Sequence, residues 1–152
     1  MSEYLLSILI WLPIFGGVGV LFLSKPEQAA SARLFSLGIS VLVLLLSIPL
    51  WTGFDTTTAA MQFVERSEWI TRFNIYYHLG VDGIAMPLIL LTTLLTVIVV
   101  VAGWEVIQKR VAMYYASFLI MEGVMIGVFA AQDAILFYLF WEVMLIPMFL
   151  II

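Results

Sequence analysis

Residues 134–152 read AILFYLFWEVMLIPMFLII, an apolar stretch with one charged side chain, Glu142, near its middle. About 20 apolar residues are enough for a helix to cross a bilayer. An ionised side chain at the centre of a bilayer costs about 3 kcal/mol or more, so an acid in such a segment usually belongs to an ion or proton pathway. Glu142 is therefore the first candidate functional residue, as a site of proton translocation.

The rest of the chain has the same apolar character. Of its 152 residues, 64% are hydrophobic and 11% are charged, and none is a cysteine. We count five stretches long enough to span a membrane, at 4–23, 34–53, 84–104, 112–130 and 134–152. This pattern predicts an all-α, multi-pass transmembrane protein and excludes a water-soluble domain. The lack of cysteine excludes disulfides and thiolate-bound clusters within the chain.

These stretches divide the chain into three parts. Residues 1–53 would form transmembrane helices 1 and 2, residues 54–83 an external loop or β-hairpin, and residues 84–152 helices 3 to 5. The first stretch contains Pro13 and lacks a basic leader, so we expect it to remain as a helix and not to be a cleaved signal. The fifth is still apolar at Ile152, without a polar cap, which predicts an N-terminal fragment truncated at residue 152.

The basic residues predict the orientation. Lys25 and Arg33 lie in the first connection, and Lys109 and Arg110 lie in the third. Connections rich in Lys and Arg face the cytoplasm. We therefore expect the N-terminus outside.

The second connection has a pattern of its own. Phe73, Ile75, Tyr77 and Leu79 alternate with other residues, and a period of two predicts a strand. Residues 61–64 would pair with this strand across a polar turn at 65–68. The hairpin would lie against helix ends or a neighbouring subunit, with Trp69 and Tyr76 at the interface level. An irregular loop with aromatic anchors fits the pattern equally well.

Four other residues have structural interpretations. Asp82 and Asp133 precede the third and fifth helices, where an aspartate accepts hydrogen bonds from free amides of the first turn. Gly123 and Gly127 have the spacing that lets another helix approach closely.

A second acid, Glu122, lies in the fourth stretch. About the same number of residues separates Glu122 and Glu142 from the turn before Asp133, one on each side of it. Both would therefore be about 13 Å deep in the membrane, at a rise of 1.5 Å per residue. If the two carboxyl groups face each other they would share a movable proton, with Glu122 as a secondary proton site. The alternative for each is a protonated acid that only hydrogen-bonds across helices. We expect no metal site, because the single histidine, His78, lies outside the spans.

Three motifs carry a family resemblance. Residues 122–133 read EGVMIGVFAAQD, residues 137–148 read FYLFWEVMLIPM, and residues 77–85 read YHLGVDGIA. Together they resemble the family of M (chain 4 type) subunits of bacterial NADH-quinone oxidoreductase, or complex I. The resemblance covers the whole chain in order.

The resemblance implies an antiporter-like, proton-pumping subunit of fourteen helices with two inverted five-helix repeats, located in the bacterial cytoplasmic (inner) membrane. Glu142 matches the family's fifth-helix glutamate, which pairs with a lysine on the seventh helix, whereas Glu122 is a weaker match. The external hairpin matches an element that contacts neighbouring subunits.

The family's chemistry also implies what this chain would bind. Its partners would be other membrane-arm subunits, the lipid bilayer and protons, with no nucleic acid. It would hold no cofactor, because FMN, iron-sulfur clusters and quinone belong to other subunits, and we expect no activity from this chain alone. The alternatives are a subunit of a multisubunit cation/proton antiporter or of a membrane-bound hydrogenase, and a non-catalytic structural membrane subunit.

Overall fold

The long apolar stretches form helices. The computed structural model describes residues 4–23, 25–57 and 60–151, so the predicted end of the fifth span at residue 152 lies outside the described residues. The elements in chain order are α1 Leu5–Leu21, a 3-10 turn Pro26–Gln28, α2 Ala29–Thr52, β1 Gln62–Ile70, a second 3-10 turn Thr71–Phe73, β2 Ile75–Val81, α3 Ala85–Ala102, α4 Val111–Ala130 and α5 Ala134–Ile151. The predicted fold class is confirmed.

Four of the helices, α2 to α5, are long and apolar enough to cross a membrane, and α1 is shorter, at 17 residues. At 1.5 Å per residue α1 is about 25 Å long, close to the lower limit for a span. Phe22 and Leu23, included in the predicted span, form a turn instead. α2 begins five residues before the predicted position 34, because the alanines at its start favour a helix.

Helix α4 is at the centre of the bundle and packs against the other four helices. Its glycines explain how closely two of them approach. A Cβ at Gly123 would meet the Ile10 carbonyl of α1, and a Cβ at Gly127 would lie 2.8 Å from the Phe140 ring of α5. The prediction that these glycines admit a neighbouring helix is confirmed, with a different neighbour at each position.

The predicted hairpin is present, and β1 and β2 pair in antiparallel register, with Arg66 opposite His78 and Glu68 opposite Tyr76. The predicted turn at residues 65–68 is wrong, because this polar segment lies within β1. Because β1 is mostly exposed, it tolerates polar side chains. The chain reverses at Thr71–Phe73 instead, where Asn74 adopts a left-handed conformation with φ of 56°.

The two ends of the bundle differ in charge. At one end the α1–α2 and α3–α4 connections come together around a cavity of about 290 Å³ lined by Lys25, Lys109 and Arg110. Arg33 donates a hydrogen bond of 2.9 Å to the Ile107 carbonyl at the same end. We call this the basic end. The hairpin lies at the other end, which we call the hairpin end.

Candidate functional site

Glu142 lies on the outward face of α5. The buried residues of this helix are Leu136, Phe140 and Pro147, whereas Glu142 is exposed. Within the described part of the chain, its side chain has neither a hydrogen bond nor an ion pair. The acid that the sequence singles out therefore points away from α1 to α4.

Glu122 has the opposite environment. Its side chain is 1% exposed. Its polar neighbour is Thr96 of α3, but the Thr96 hydroxyl donates to the Thr92 carbonyl at 2.9 Å. Neither carboxyl oxygen of Glu122 has a hydrogen-bond partner among the described residues. Burial of an acid without a partner is costly, so this group requires an explanation beyond packing.

The structure does not bring the two acids together. Glu122 is enclosed in the bundle beside α3, and Glu142 is on the outside of α5. Their equal predicted depth suggested that the two carboxyl groups could share a proton. This arrangement does not support such sharing.

Hydroxyl side chains near Glu122 were missed at the level of sequence. Thr93 of α3 and Ser47 of α2 are fully buried, and their hydroxyl oxygens lie 3.1 Å apart, joining the two helices. Thr92 and Thr96 bond to backbone carbonyls one turn earlier in α3. The signal was available, because Thr92 and Thr96 are four residues apart and therefore lie on one face.

The two capping aspartates behave as predicted. Asp82 accepts hydrogen bonds from the amides of Ile84 and Ala85 at 3.0 and 2.8 Å, and these bonds, Ala85 first, hold its pKa below the ordinary value. Asp133 accepts from the Ile135 amide at 2.9 Å. Its other oxygen accepts from the Tyr76 amide at 3.0 Å, the main cause of its lowered pKa. The second bond ties the hairpin to the α4–α5 turn.

A further polar cluster joins the hairpin to α1. Glu65 accepts hydrogen bonds from the Ser7 amide and hydroxyl, and the Tyr77 hydroxyl lies 2.9 Å from that of Ser7. Trp11 donates its ring N–H to Tyr77 at 3.0 Å. Burial raises the pKa of Tyr77, against the effect of its hydrogen bonds to Ser7 and Trp11. The predicted contact between hairpin and helix ends is thus confirmed.

In the described ranges, no group of three or more His, Asp or Glu side chains is placed to hold a metal ion. What the geometry offers is one exposed and one buried acid in apolar helices.

Comparison with known proteins identifies similar chains. A profile of the family described as "NADH-ubiquinone oxidoreductase chain 4, amino terminus" matches residues 32–130. NADH-ubiquinone oxidoreductase chain 4 of Arabidopsis thaliana is 42% identical over 147 residues, covering 97% of this chain and 30% of that protein. NADH-quinone oxidoreductase subunit M of Rhodobacter capsulatus is 42% identical over 153 residues, covering 99% and 29%. The chain thus spans less than a third of the length of these curated relatives.

The fold is also found in a solved structure. A chain of respiratory complex I from Thermus thermophilus, determined with bound NADH, superposes with a TM-score of 0.72 at 25% sequence identity. The match covers 97% of this chain and 27% of that one. The arrangement of the five helices and the hairpin is therefore an arrangement that a complex I chain adopts.

Proposed function

The chain belongs to the NADH-ubiquinone oxidoreductase chain 4 family, and we propose that it forms part of a membrane-arm subunit that translocates protons in a respiratory NADH:quinone oxidoreductase. The observation that carries this proposal is Glu142. It is an acid within an apolar helix, on the face that the described helices leave uncovered. Intramembrane acids of this kind serve ion or proton pathways.

Glu142 requires a cationic partner to translocate a proton. The two lysines of this chain, Lys25 and Lys109, both lie in connections at the basic end and outside the helices. We therefore assign the partner lysine to another helix of the complete subunit. That helix would cover the outward face of α5. Movement of charge on that lysine would change the protonation of Glu142, and electron transfer in other subunits would drive the movement.

The redox groups would belong to other subunits. Iron-sulfur clusters are held mainly by cysteine thiolates, and this chain has no cysteine and one histidine. We assign FMN, the iron-sulfur clusters and the quinone to other subunits. The partners of this chain would be the neighbouring antiporter-like subunits, the lipid bilayer and protons. Its contribution is translocation without redox chemistry.

We place the protein in the bacterial cytoplasmic membrane with the N-terminus outside. Both connections that carry Lys25, Lys109 and Arg110 lie at one end of the bundle, and such connections face the cytoplasm. The hairpin would then lie on the outer side, where it would contact a neighbouring subunit.

The test is Glu142→Gln in the complete complex, measured as NADH-driven proton uptake by inverted membrane vesicles together with NADH:quinone turnover. Removing a group that transfers protons costs about 10²-fold or more, and we expect a loss of that order, with a milder loss for Glu142→Asp. Glu27→Gln is the matched control, since Glu27 is exposed in the α1–α2 connection. Unchanged pumping in Glu142→Gln would leave Glu142 with a structural role alone.

A further inference from the structure

The buried polar atoms of the bundle are distributed unevenly. The buried side-chain oxygens and nitrogens without a hydrogen-bond partner among the described residues are Gln28 Oε1, Arg33 Nε, Ser36 Oγ and both carboxyl oxygens of Glu122. The first three lie at the start of α2, at the basic end. Glu122 lies about 17 Å along α4 from that end, at 1.5 Å per residue. These atoms therefore extend from the basic end to the middle of the bundle.

Hydroxyl groups occur along the whole interface of α2 and α3, and Ser47 lies toward the hairpin end of α2. α2 packs against both α3 and α4. Its buried face carries Ser36, Ser40 and Ser47, and that of α3 carries Thr92, Thr93 and Thr96. On α4, Tyr115 lies two turns before Glu122, and its hydroxyl donates to the Val100 carbonyl at 3.1 Å. Of these groups, Ser36 and Tyr115 lie nearer the basic end, and Ser40 lies near the middle of α2.

On the hairpin side of Glu122, the described residues include no unpartnered buried polar side-chain atom. Residues 123–130 of α4 contain only apolar residues and glycines. They pack into an apolar core with the first half of α1 and with β2, which includes Leu6, Leu9, Ile10, Leu79, Val124 and Ile126. A second apolar core, with Val100, Ala116 and Leu119, lies on the basic side, so the two sides differ in their unpartnered polar atoms and not in apolar packing.

Charged groups do not compensate Glu122. The titratable side chains on the elements packed against it and on α4 itself lie near the ends of the bundle or on its outer surface, and among the described residues none forms an ion pair with it. They are Arg33 on α2, Tyr114 and Tyr115 on α4, Tyr138 and Glu142 on α5, and Tyr77 and His78 on β2. Unpartnered buried polar groups in native proteins are commonly hydrated.

We propose that the interface of α2, α3 and α4 is a hydrated route by which protons reach Glu122 from the basic end, separate from any route through Glu142. Arg33, Ser36 and Ser40 would line its entrance, and Thr96 would lie beside the carboxyl group at its inner end. The Thr96 hydroxyl would turn from the Thr92 carbonyl to Glu122 when the acid loses its proton. This inference rests on the proposed proton-translocating function.

Cysteine substitution tests the route in the complete complex, since these 152 residues contain no cysteine. Ser36→Cys and Ser40→Cys are treated with a small charged methanethiosulfonate reagent in sealed vesicles of each orientation. Lys109→Cys and Glu68→Cys report which side each end of the bundle faces. Ala130→Cys is the matched control, because Ala130 is equally buried but lies at the hairpin end.

We expect Ser36→Cys and Ser40→Cys to react fully from the side that labels Lys109→Cys, under conditions that leave Ala130→Cys unreacted. No reaction at either serine position, or reaction from the hairpin side, would overturn the route. The parent complex, treated with the same reagent, corrects for cysteines elsewhere.

A second measurement addresses the acid itself. The infrared spectrum of the resting complex should contain a band of a protonated carboxyl group that disappears in Glu122→Gln and shifts on transfer to D₂O. Deprotonation should replace this band with carboxylate bands, which Thr96→Val should shift and Thr96→Ser should restore, whereas Thr93→Val should not affect them. A band that is absent, or that does not exchange, would contradict the proposal. Both measurements are made without turnover, so they remain informative if Glu142→Gln pumps normally.

Discussion

Ser7 donates both its backbone amide and its hydroxyl to the carboxylate of Glu65, at 3.0 and 2.5 Å. Ser7 lies in the first turn of α1, where backbone amides have no partner within the helix. A residue of the hairpin, 58 positions away in the sequence, therefore caps α1. A carboxylate at this position also interacts favourably with the helix dipole.

Glu65→Ala should loosen the hairpin from α1. Hydrogen bonds to a charged group contribute about 1.5 to 3 kcal/mol, and their loss should speed hydrogen exchange at the Ser7 amide and across β1 by a corresponding factor. Hydrogen exchange read by mass spectrometry on the complete complex measures this effect. Glu68→Ala is the control, because Glu68 is on the same strand and its exposed side chain has no hydrogen bond among the described residues. Equal protection in both variants would show that the cap contributes nothing.

Asp133→Asn should remove an acid-sensitive contact between the hairpin and α5. The pKa of Asp133 is held below its ordinary value of 3.8, chiefly by the Tyr76 amide. A lowered folded-state pKa stabilises the folded state above the unfolded value, and the contribution is lost as the pH falls through the folded value. Exchange at the Tyr76 amide should accelerate in the parent as the pH falls below about 3.8, beyond the intrinsic pH effect.

The asparagine variant tests whether Asp133 is responsible. It has no charge to lose, so protection at Tyr76 should be lower at neutral pH and should lack the extra acid dependence. Asp55→Asn is a suitable control, since the lowered pKa of Asp55 arises from Thr57 in a loop and not from the hairpin. If the parent and Asp133→Asn respond to acid in the same way, the contact does not depend on this carboxylate.

The hairpin shows what the sequence predicts about a strand and what it does not. The alternation around Ile75 and Tyr77 correctly indicated β2. The polar run at 65–68 resembled a turn only in polarity, since it contains no glycine, proline or asparagine. Asn74 was the better signal, because asparagine tolerates the left-handed conformation that this reversal requires.

Helix rotation explains why the acids were harder to place. The lengths of the apolar stretches predicted the helices, and rise per residue predicted the depth of Glu122 and Glu142. A helix that is apolar on all sides has no periodicity to indicate which face is buried. The burial of Glu122 and the exposure of Glu142 are therefore properties of tertiary packing.

Ser47 and Thr93 should be coupled energetically. Their hydroxyls join α2 to α3 at 3.1 Å, and interhelical hydrogen bonds in membrane proteins contribute about 0.6 kcal/mol on average. A double-mutant cycle with Ser47→Ala and Thr93→Val, measured by reversible denaturation of the complete subunit in detergent, should give a coupling of that size. The same cycle with Ser40→Ala in place of Ser47→Ala is the control, because the Ser40 hydroxyl bonds to the Leu37 carbonyl of its own helix and, among the described residues, to no other helix. Equal couplings in the two cycles would refute a specific contact.

Gly123→Ala should displace α1 from α4. The added Cβ would overlap the Ile10 carbonyl and lie 2.6 Å from Ile14 Cγ1, and a backbone carbonyl has little freedom to move. Overpacking of this kind costs about 1 to 3 kcal/mol, so the variant should unfold at lower denaturant concentration and assemble poorly.

Gly38→Ala is the matched control, because a Cβ at Gly38 of α2 meets nothing within 4 Å. Replacing glycine by alanine within a helix stabilises it by about 0.5 to 1 kcal/mol, so Gly38→Ala should be neutral or stabilising. If Gly123→Ala were as stable as Gly38→Ala, the close approach of α1 and α4 would not depend on this glycine.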